Sequence, residues 1–319
     1  MFEKLNFNMS QVYPMLVVST MSSGKSTLIN ALVGKDLLPS SNRACTAKIT
    51  GILNNDVKPQ FEVHVIYKDG KCKVVKQATK SVIADFNQAN NVIEMIIEGK
   101  IQGIRNSKKA LLLVDTPGIN NSMDKYHKMV TKKVLDEYQK GLILYIINAQ
   151  QIGIYDDSNF LTLVAKKLKD SPNLKIIFII NKMDLIDSEK EKPKELIENC
   201  KIYIQSKGID KPILIPISAG SALIFKKALN KEELSELEEE NFVRNYKYFK
   251  RESYSLNKYD SLLCFEDKKE TITVEGIDYT RSEIYEVLNN TGFLFLEKKI
   301  NEIIVESLEI NHKTKVAKY

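Results

Sequence analysis

Short apolar runs alternate along much of the chain with longer segments in which apolar residues recur every three or four positions. Runs of the first kind are typical of strands buried on both faces, and segments of the second kind are typical of amphipathic helices. The predicted strands are residues 15–18, 111–114, 142–148, 174–181 and 213–217, and the predicted helices between them are residues 27–32, 125–140, 157–169 and 192–206. This alternation predicts an α/β fold with right-handed crossovers and a doubly wound, mainly parallel sheet.

The segment before the strand at residues 111–114 follows a different pattern. Residues 36–46 lack periodicity and predict a loop. The strands predicted after this loop are residues 47–53, 61–67 and 73–75. Helical spacing then predicts a helix over residues 81–98. The sequence therefore predicts a hairpin region followed by a helix.

The last hundred residues of the chain change in character. An acidic helical segment at residues 231–240 precedes a basic, tyrosine-rich stretch at residues 244–258, for which a solvated helix face is expected. A hairpin is predicted at residues 271–276, and a final amphipathic helix at residues 293–310.

Composition limits the classes of protein to which the chain can belong. With 319 residues, 43% of them hydrophobic and 28% charged, the chain is long enough for a substantial core. The four cysteines and three histidines are scattered without metal-ligand spacing, which predicts a reduced, cytoplasmic setting. Every apolar run is too short to cross a bilayer, so membrane contact is expected to be peripheral. The net charge of +6, from 47 basic and 41 acidic residues, gives no strong argument for a nucleic-acid partner.

The turn after the first strand matches a phosphate-binding loop. The template G-x-x-x-x-G-K-[ST] is met at Gly24, Lys25 and Ser26, although Ser19 stands in place of the first glycine. In such loops, backbone N–H groups and a helix N-terminus surround the phosphates. Lys25 is predicted to neutralise the β- and γ-phosphates, and the Ser26 hydroxyl to ligate Mg²⁺. The predicted phosphate contacts are Ser22, Ser23, Gly24, Lys25, Ser26 and Thr27. Taken alone, the motif also fits an ordinary helix start.

Three further strand ends carry residues suited to a nucleotide. Asp115 is predicted to hold Mg²⁺ through water, and the Gly118 N–H to contact the γ-phosphate. Asp184 can accept hydrogen bonds from N1–H and N2–H₂ of guanine, a donor pair that adenine lacks, so GTP is predicted rather than ATP. A backbone N–H at Ser218 or Ala219 is predicted to reach guanine O6. The predicted base-binding residues are Asn181, Lys182, Asp184, Ser218 and Ala219. Each pattern alone fits a turn or a helix cap, but their order after successive strands predicts a GTP site.

These motifs resemble those of GTPases of the dynamin superfamily, and specifically of bacterial dynamin-like proteins. The resemblance is carried by residues 21–32, 38–39, 115–120 and 148–151. It implies that Thr46 is the switch I threonine, which ligates Mg²⁺ and positions the attacking water, with Thr50 as the competing assignment. Sixty-nine positions separate Thr46 from Asp115, whereas small Ras-like GTPases place this aspartate soon after switch I.

The resemblance also implies a domain organisation and a function. Residues 1–319 would form a dynamin-type G domain, with residues 220–292 as an insert and residues 293–310 as its final helix. It would hydrolyse GTP to GDP with Mg²⁺ and form a nucleotide-dependent homodimer through its active-site face. Coupling to membrane or assembly remodelling would need the stalk and lipid-binding tip of dynamins, which are expected to be truncated or separately encoded. The alternative is a nucleotide-gated interaction module with little hydrolysis and a replication or ribosome-assembly partner.

The chain departs from the family where a side chain orients water. Met21 stands where eukaryotic dynamins have a glutamine, so hydrolysis is expected to rely on Ser22, Thr46 and backbone groups. Two sources of positive charge for the transition state stay open. Arg43 lies three residues before Thr46, an offset that resembles that of the in-cis arginine in heterotrimeric G-protein α subunits. Dynamins instead hold a monovalent cation, K⁺ or Na⁺, partly by a phosphate-loop serine, and Ser22 occupies that position. The predicted catalytic residues are Ser22, Lys25, Arg43, Thr46 and Gly118, and the predicted metal ligands are Ser26, Thr46 and Asp115.

Overall fold

The computed structural model describes most of the chain. The described residues are 11–19, 22–39, 50–106, 109–116, 135–151, 155–186, 192–251, 254–256 and 270–316, with the backbone alone at 155–157 and 308–316. The strands are β1 (Val12–Ser19), β2 (Thr50–Asn54), β3 (Glu62–Tyr67), β4 (Cys72–Val75), β5 (Val92–Gly99), β6 (Ala110–Asp115), β7 (Lys140–Asn148), β8 (Asn173–Asn181), β9 (Leu214–Pro216), β10 (Thr271–Val274) and β11 (Ile277–Thr280). The helices are α1 (Lys25–Val33), α2 (Lys80–Gln88), α3 (Tyr155–Asp170), α4 (Pro193–Ser206), α5 (Ala219–Leu229), α6 (Glu236–Phe249), α7 (Arg281–Asn290) and α8 (Phe293–Val316).

A mixed sheet with the strand order β4-β3-β5-β2-β6-β1-β7-β8-β9 lies at the centre of the described structure. Strands β6, β1, β7, β8 and β9 run parallel to one another. On the other side, β2 pairs antiparallel with β6, β5 pairs parallel with β2, and β3 pairs antiparallel with both β5 and β4. The predicted α/β fold with a doubly wound, mainly parallel sheet is confirmed.

Hydrophobic cores cover both faces of this sheet. Alternate residues of β1 point into opposite cores: Met15 and Val17 belong to one cluster of buried side chains, and Leu16 and Val18 to the other. Helices α1 and α5 to α8 contribute to the first core, and α3 and α4 to the second. A strand buried on both faces has no polar side to display, which explains the unbroken apolar run that predicted β1.

The predicted helix over residues 81–98 is wrong in its second half. Helix α2 begins after Thr79, whose side chain accepts a hydrogen bond from the Val82 N–H, and it ends at Gln88. Residues Val92–Gly99 form β5, which pairs with β2 on one side and β3 on the other. Four of the first six residues of β5 are β-branched, and such side chains pack well on a pleated surface and less well in a helix. Tertiary pairing therefore decides the conformation here, because the apolar spacing alone fits both structures.

Other predicted elements differ mainly at their ends. The predicted helix over residues 125–140 and the loop over 36–46 lie largely outside the described residues, although Lys140 already belongs to β7. Helix α6 begins after Ser235 and not at residue 231, because Ser235 and Glu238 form a capping box there. Helix α8 continues to Val316, six residues past the predicted end.

The segment between α5 and α8 contributes side chains to the first of the two cores. An aromatic cluster of Phe225, Phe242, Tyr246 and Tyr279 joins α5, α6 and the β10–β11 hairpin, with ring centroids 4.7 to 6.3 Å apart. Because these rings belong to the same core as α1, the segment shares one hydrophobic cluster with the phosphate-loop helix. The division into G domain and insert stays a prediction.

Among the described residues, no helix combines the length and apolar character that crossing a membrane requires.

Candidate nucleotide-binding site

Four predicted motifs meet at one edge of the sheet. Strands β6, β1, β7, β8 and β9 are parallel, so the residues that follow them lie at the same carboxyl edge. In open α/β sheets, ligands bind in the crevice outside such an edge. The edge brings together the phosphate loop after β1, Asp115 at the end of β6, Asn181 at the end of β8 and Ser218 after β9.

The phosphate loop leads directly into the N-terminus of helix α1. Gly24 precedes α1 with φ of 88°, and no side chain among the described residues caps the helix. A Cβ on Gly24 would lie 2.5 Å from Asn181 Nδ2, so both its conformation and its close contact require glycine. Ser22 is exposed and also has a positive φ of 57°, whereas Ser23 is buried. The first N–H groups of α1 are therefore available to an anion, as the motif predicts.

Lys25 and Asp115 form an ion pair at the predicted metal position. The Lys25 Nζ contacts Asp115 Oδ1, and the Asp115 side chain is 2% exposed. Burial raises the pKa of the Asp115 carboxyl, and the neighbouring Lys25 ammonium works against that rise. Each charge therefore neutralises the other, and each would gain a new partner if a phosphate and a cation were bound.

Thr50 provides a buried hydroxyl beside the same carboxylate. Thr50 is directly opposite Asp115 in the antiparallel pairing of β2 and β6, so the two side chains project from the same face of the sheet. The residue is fully buried, and its Oγ1 has no hydrogen-bond partner in the described structure. A buried hydroxyl without a partner costs about 1–3 kcal/mol. A ligand atom or a water at this point would remove that cost.

The oxygen donors at this position fit Mg²⁺. The hydroxyl of Ser26 at the start of α1, the Asp115 carboxylate and the unpaired Thr50 hydroxyl are the hard oxygen ligands that Mg²⁺ prefers. Thr46, Arg43 and Gly118 lie outside the described residues, as does Met21. Their predicted roles stay predictions, and Thr50 stays the alternative to Thr46.

Asn181 joins the phosphate side of the site, which consists of the phosphate loop and Asp115, to the base side, which consists of the turns after β8 and β9. Its Nδ2 donates to the Ser23 carbonyl at 2.8 Å, and its Oδ1 accepts from the Ala219 N–H at 2.9 Å. All three groups are buried, so these hydrogen bonds fix the relative positions of the loops after β1, β8 and β9. In this structure the Ala219 N–H is engaged by Asn181, and its contact with guanine O6 stays a prediction.

The turn after β8 separates buried from accessible side chains. Asn181 and Met183 are buried, while Lys182 and Asp184 are partly exposed. Lys182 has a left-handed φ of 68°, and the Met183 N–H donates to the Ile217 carbonyl at 3.2 Å, which ties the turn to the end of β9. The Asp184 side chain is therefore partly accessible on a turn that is hydrogen-bonded to the end of β9, where a guanine base could bind.

The turn between α7 and α8 supports the base side, a role that sequence reasoning missed. The Thr291 carbonyl accepts from the Ser218 N–H at 3.0 Å. Gly292 has φ of 75°, and a Cβ there would lie 2.3 Å from the Pro216 carbonyl oxygen. The sequence signal at this point is the Thr291-Gly292 pair, because glycine often follows the end of a helix, but the pair gives no information about a tertiary partner.

The tyrosine-rich stretch also comes close to the base side. The Tyr248 and Tyr254 rings stack with centroids 4.3 Å apart. Burial, together with the charges of Tyr254 and Asp184, raises the pKa of Tyr248 to about 12. Part of the predicted solvated face therefore lies within electrostatic range of Asp184.

The fold and this arrangement of loops define a P-loop domain of the GTPase class. Residues 15–183, more than half of the chain, match the sequence model of the Dynamin family. The chain belongs to the dynamin family, and the resemblance drawn from its motifs is confirmed.

Relatives of the chain occur in eukaryotes and bacteria. It is 29% identical over 207 residues to the mitochondrial dynamin-like GTPase MGM1 of Saccharomyces cerevisiae, which covers 60% of this chain and 22% of the relative. It is 26% identical to the bacterial dynamin-like protein of Nostoc punctiforme, over 59% of this chain and 27% of the relative. The chain spans 22% to 59% of the length of the first curated relatives it matches.

A solved structure shares the fold. It is described as an oligomerised bacterial dynamin pair that provides a mechanism for the long-range sensing and tethering of membranes. The match covers 99% of this chain and 45% of that chain, with a TM-score of 0.50 and 20% identity.

Proposed function

We propose that this chain binds GTP with Mg²⁺ and hydrolyses the bond to the γ-phosphate. The observation that carries the proposal is the Ser23–Asn181–Ala219 hydrogen-bond connection, because it joins the phosphate loop to the turns that would hold the base. A nucleotide in this crevice would place its phosphates at the N-terminus of α1 and its guanine at Lys182 and Asp184. The matched family model and the relatives named as GTPases support the same activity.

The residues on the phosphate side would bind and stabilise the triphosphate. The Lys25 ammonium, which now contacts Asp115, would neutralise the β- and γ-phosphate oxygens together with the N–H groups of α1. Ser26, Asp115 and either Thr46 or Thr50 would hold Mg²⁺, which when bound supplies charge neutralisation to the transferring phosphoryl group. Thr46 and the Gly118 N–H are the predicted groups that position the attacking water and contact the γ-phosphate.

Two groups compete for the role of additional positive charge. Ser22 is exposed on the phosphate loop, where its oxygen is accessible to K⁺ or Na⁺. Arg43 is the alternative. If Arg43 stabilises the transition state, Arg43→Ala should lower kcat by about 10³ and leave GTP affinity nearly unchanged. If Ser22 and a cation do so, turnover should depend on K⁺ or Na⁺ and fall in Ser22→Ala.

We further propose that two copies pair through the nucleotide-binding face and that the complete protein acts in the cytoplasm at a membrane surface. The proposal is supported by the family resemblance, and by the description of the solved dynamin pair as oligomerised and as tethering membranes. Pairing would order the loops of both copies and increase hydrolysis. Specific activity should then rise with protein concentration, and a constant specific activity would contradict the dimer.

Multiple-turnover phosphate release from GTP tests the central proposal. Wild-type protein should release several phosphates per chain in a reaction that needs Mg²⁺, and Ser26→Asn should not. Tight GTP binding without turnover would instead support the nucleotide-gated interaction module.

A further inference from the structure

A cluster of ligand-type side chains lies on the part of the sheet that the nucleotide site does not use. Glu62 and Glu98 are directly opposite each other in the antiparallel pairing of β3 and β5. His64 is two residues after Glu62, so all three side chains project from the same face. One donor atom from each of the three lies within 4.8 Å of the other two.

The donor atoms converge on one point. His64 Nε2 lies 2.8 Å from Glu62 Oε1 and 3.2 Å from Glu98 Oε2. Ligands at about 2.0–2.2 Å from a metal ion are separated by about 2.8–3.1 Å in octahedral geometry and by about 3.3–3.6 Å in tetrahedral geometry. Small rotations of these side chains would therefore suffice to surround an ion. The Glu98 carboxylate is also held in place, because its Oε1 accepts from Asn55 Nδ2 at 2.7 Å.

A cation already lies against these oxygens. The Lys58 Nζ contacts Glu62 Oε1 and lies 2.6 Å from Glu98 Oε2. Glu98 is buried, while the Lys58 side chain is 33% exposed and can turn toward solvent. The hydrogen bond from Lys58 is the main cause that lowers the pKa of Glu62, which keeps this carboxylate ionised. Two carboxylates with one ammonium leave a net charge of −1, whereas a divalent ion in place of the ammonium would balance them fully.

We propose that Glu62, His64 and Glu98 form a binding site for a divalent first-row transition-metal ion of the Zn²⁺ type, which takes the place of the Lys58 ammonium. An imidazole nitrogen in the donor set favours Zn²⁺, Co²⁺ or Ni²⁺ over Mg²⁺, which prefers an all-oxygen octahedral shell. The bound ion would cross-link the neighbouring strands β3 and β5. The site is separate from the proposed nucleotide site and does not depend on that function.

Titration of nucleotide-free protein with Zn²⁺, in excess Mg²⁺ and followed by calorimetry, tests the proposal. One Zn²⁺ should bind per chain, and Co²⁺ at the same site should give visible absorption bands. His64→Gln should weaken Zn²⁺ binding by about 10- to 100-fold or more. The matched control is Cys72→Ser, which removes an exposed thiol on the neighbouring strand β4 and should leave binding unchanged. Zn²⁺ binding that is absent, or equally strong in His64→Gln, would overturn the proposal.

Lys58→Met gives a second, opposite readout. The variant keeps the apolar stem but lacks the competing ammonium, so it should bind Zn²⁺ more tightly than wild type. Zn²⁺ should therefore raise the Tm of Lys58→Met more than that of the wild type. If Lys58 is instead the permanent partner of the two carboxylates, the variant should melt earlier and Zn²⁺ should not restore its Tm.

Discussion

The base side and the phosphate side of the nucleotide site differ in how their polar groups are satisfied. On the base side, Asn181 and Ser218 make hydrogen bonds to other loops of the protein. On the phosphate side, Lys25 and Asp115 have only each other as charged partners in the described structure. The Thr50 hydroxyl has no hydrogen-bond partner there. The base side is therefore assembled before a ligand arrives, whereas groups on the phosphate side must exchange partners when one binds.

Removal of Lys25 should have the largest effect, because it acts on both states of the phosphate side. Lys25→Ala should lower GTP affinity by several kcal/mol, since a charged contact in a desolvated site is lost. It should also destabilise the ligand-free protein by about 3 kcal/mol, because Asp115 is left buried without its counter-ion. Calorimetric titration with GTP and urea unfolding of the ligand-free protein measure the two effects.

The destabilisation of Lys25→Ala should depend on pH. Burial already raises the pKa of Asp115 above its value of about 3.9 in unfolded chains, and loss of the ammonium should raise it further. A carboxyl with a raised folded-state pKa binds more protons when folded, so stability falls as pH rises from the unfolded to the folded pKa. The variant should therefore lose more stability at pH 7 than at pH 4. Adding Asp115→Asn should recover part of the loss, and a pH-independent difference would contradict this account.

Asp184→Asn tests whether the base side alone sets the choice of nucleotide. The substitution replaces an acceptor of two guanine N–H groups by an amide, and should weaken GTP binding by about 2–3 kcal/mol. Xanthine nucleotides, which have an acceptor at the 2-position, should then bind better than GTP. The fold should be unaffected, since Asp184 is partly exposed. Unchanged GTP affinity would remove Asp184 from the site.

Gly292→Ala should weaken the base side from outside the site. The new Cβ would meet the Pro216 carbonyl at 2.3 Å in a left-handed conformation, so the loop after β9 must shift. A cost of about 1–3 kcal/mol in stability and a weaker affinity for GDP are expected. Gly276→Ala is the matched control, because Gly276 has φ of 71° with nothing within 4 Å of its Cβ position. The control should lose stability but keep its GDP affinity. Equal GDP affinities in both variants would show that the α7–α8 turn does not support the base side.

The sequence predicted the parts of the site that are local in the chain. Gly24, Lys25 and Ser26 were identified because a strand, a small-residue turn and a helix follow one another without interruption. The same holds for Asn181 and Asp184 after β8. Contacts between distant segments were not predictable, because neither apolar spacing nor turn residues specify a tertiary partner. The support of Ser218 by Thr291 and the pairing of Glu62 with Glu98 are of this kind.

The error over residues 81–98 has the same physical origin. An apolar spacing of three and four positions fits an amphipathic helix, yet Val92, Met95 and Ile97 are buried in a strand whose neighbours lie far away in sequence. In the same way, the register between β2 and β6 places Thr50 opposite Asp115. Thr50 could therefore be considered as a candidate from the sequence, but its position opposite the Asp115 carboxylate could not be predicted from it.

Thr50→Val should have the smallest effect and the most informative sign. Valine has the shape of threonine without the hydroxyl, so it removes a buried polar atom that has no partner in the described structure. The ligand-free protein should become more stable by about 1 kcal/mol, as measured by urea unfolding. Thr50→Ser keeps the hydroxyl and should show no such gain.

The same variant should bind Mg²⁺ less well once nucleotide is present. If the Thr50 hydroxyl binds Mg²⁺ in the nucleotide complex, Thr50→Val should raise the Mg²⁺ concentration that is needed to retain GDP by about tenfold. The dissociation rate of a fluorescent GDP, measured across Mg²⁺ concentrations, gives this value. A gain in ligand-free stability with unchanged Mg²⁺ dependence would remove Thr50 as a metal ligand and leave Thr46 as the remaining candidate. If Thr50→Val instead raises the ligand-free stability and lowers the affinity for Mg²⁺, the cost of the unpaired hydroxyl in the ligand-free state is recovered when the metal binds.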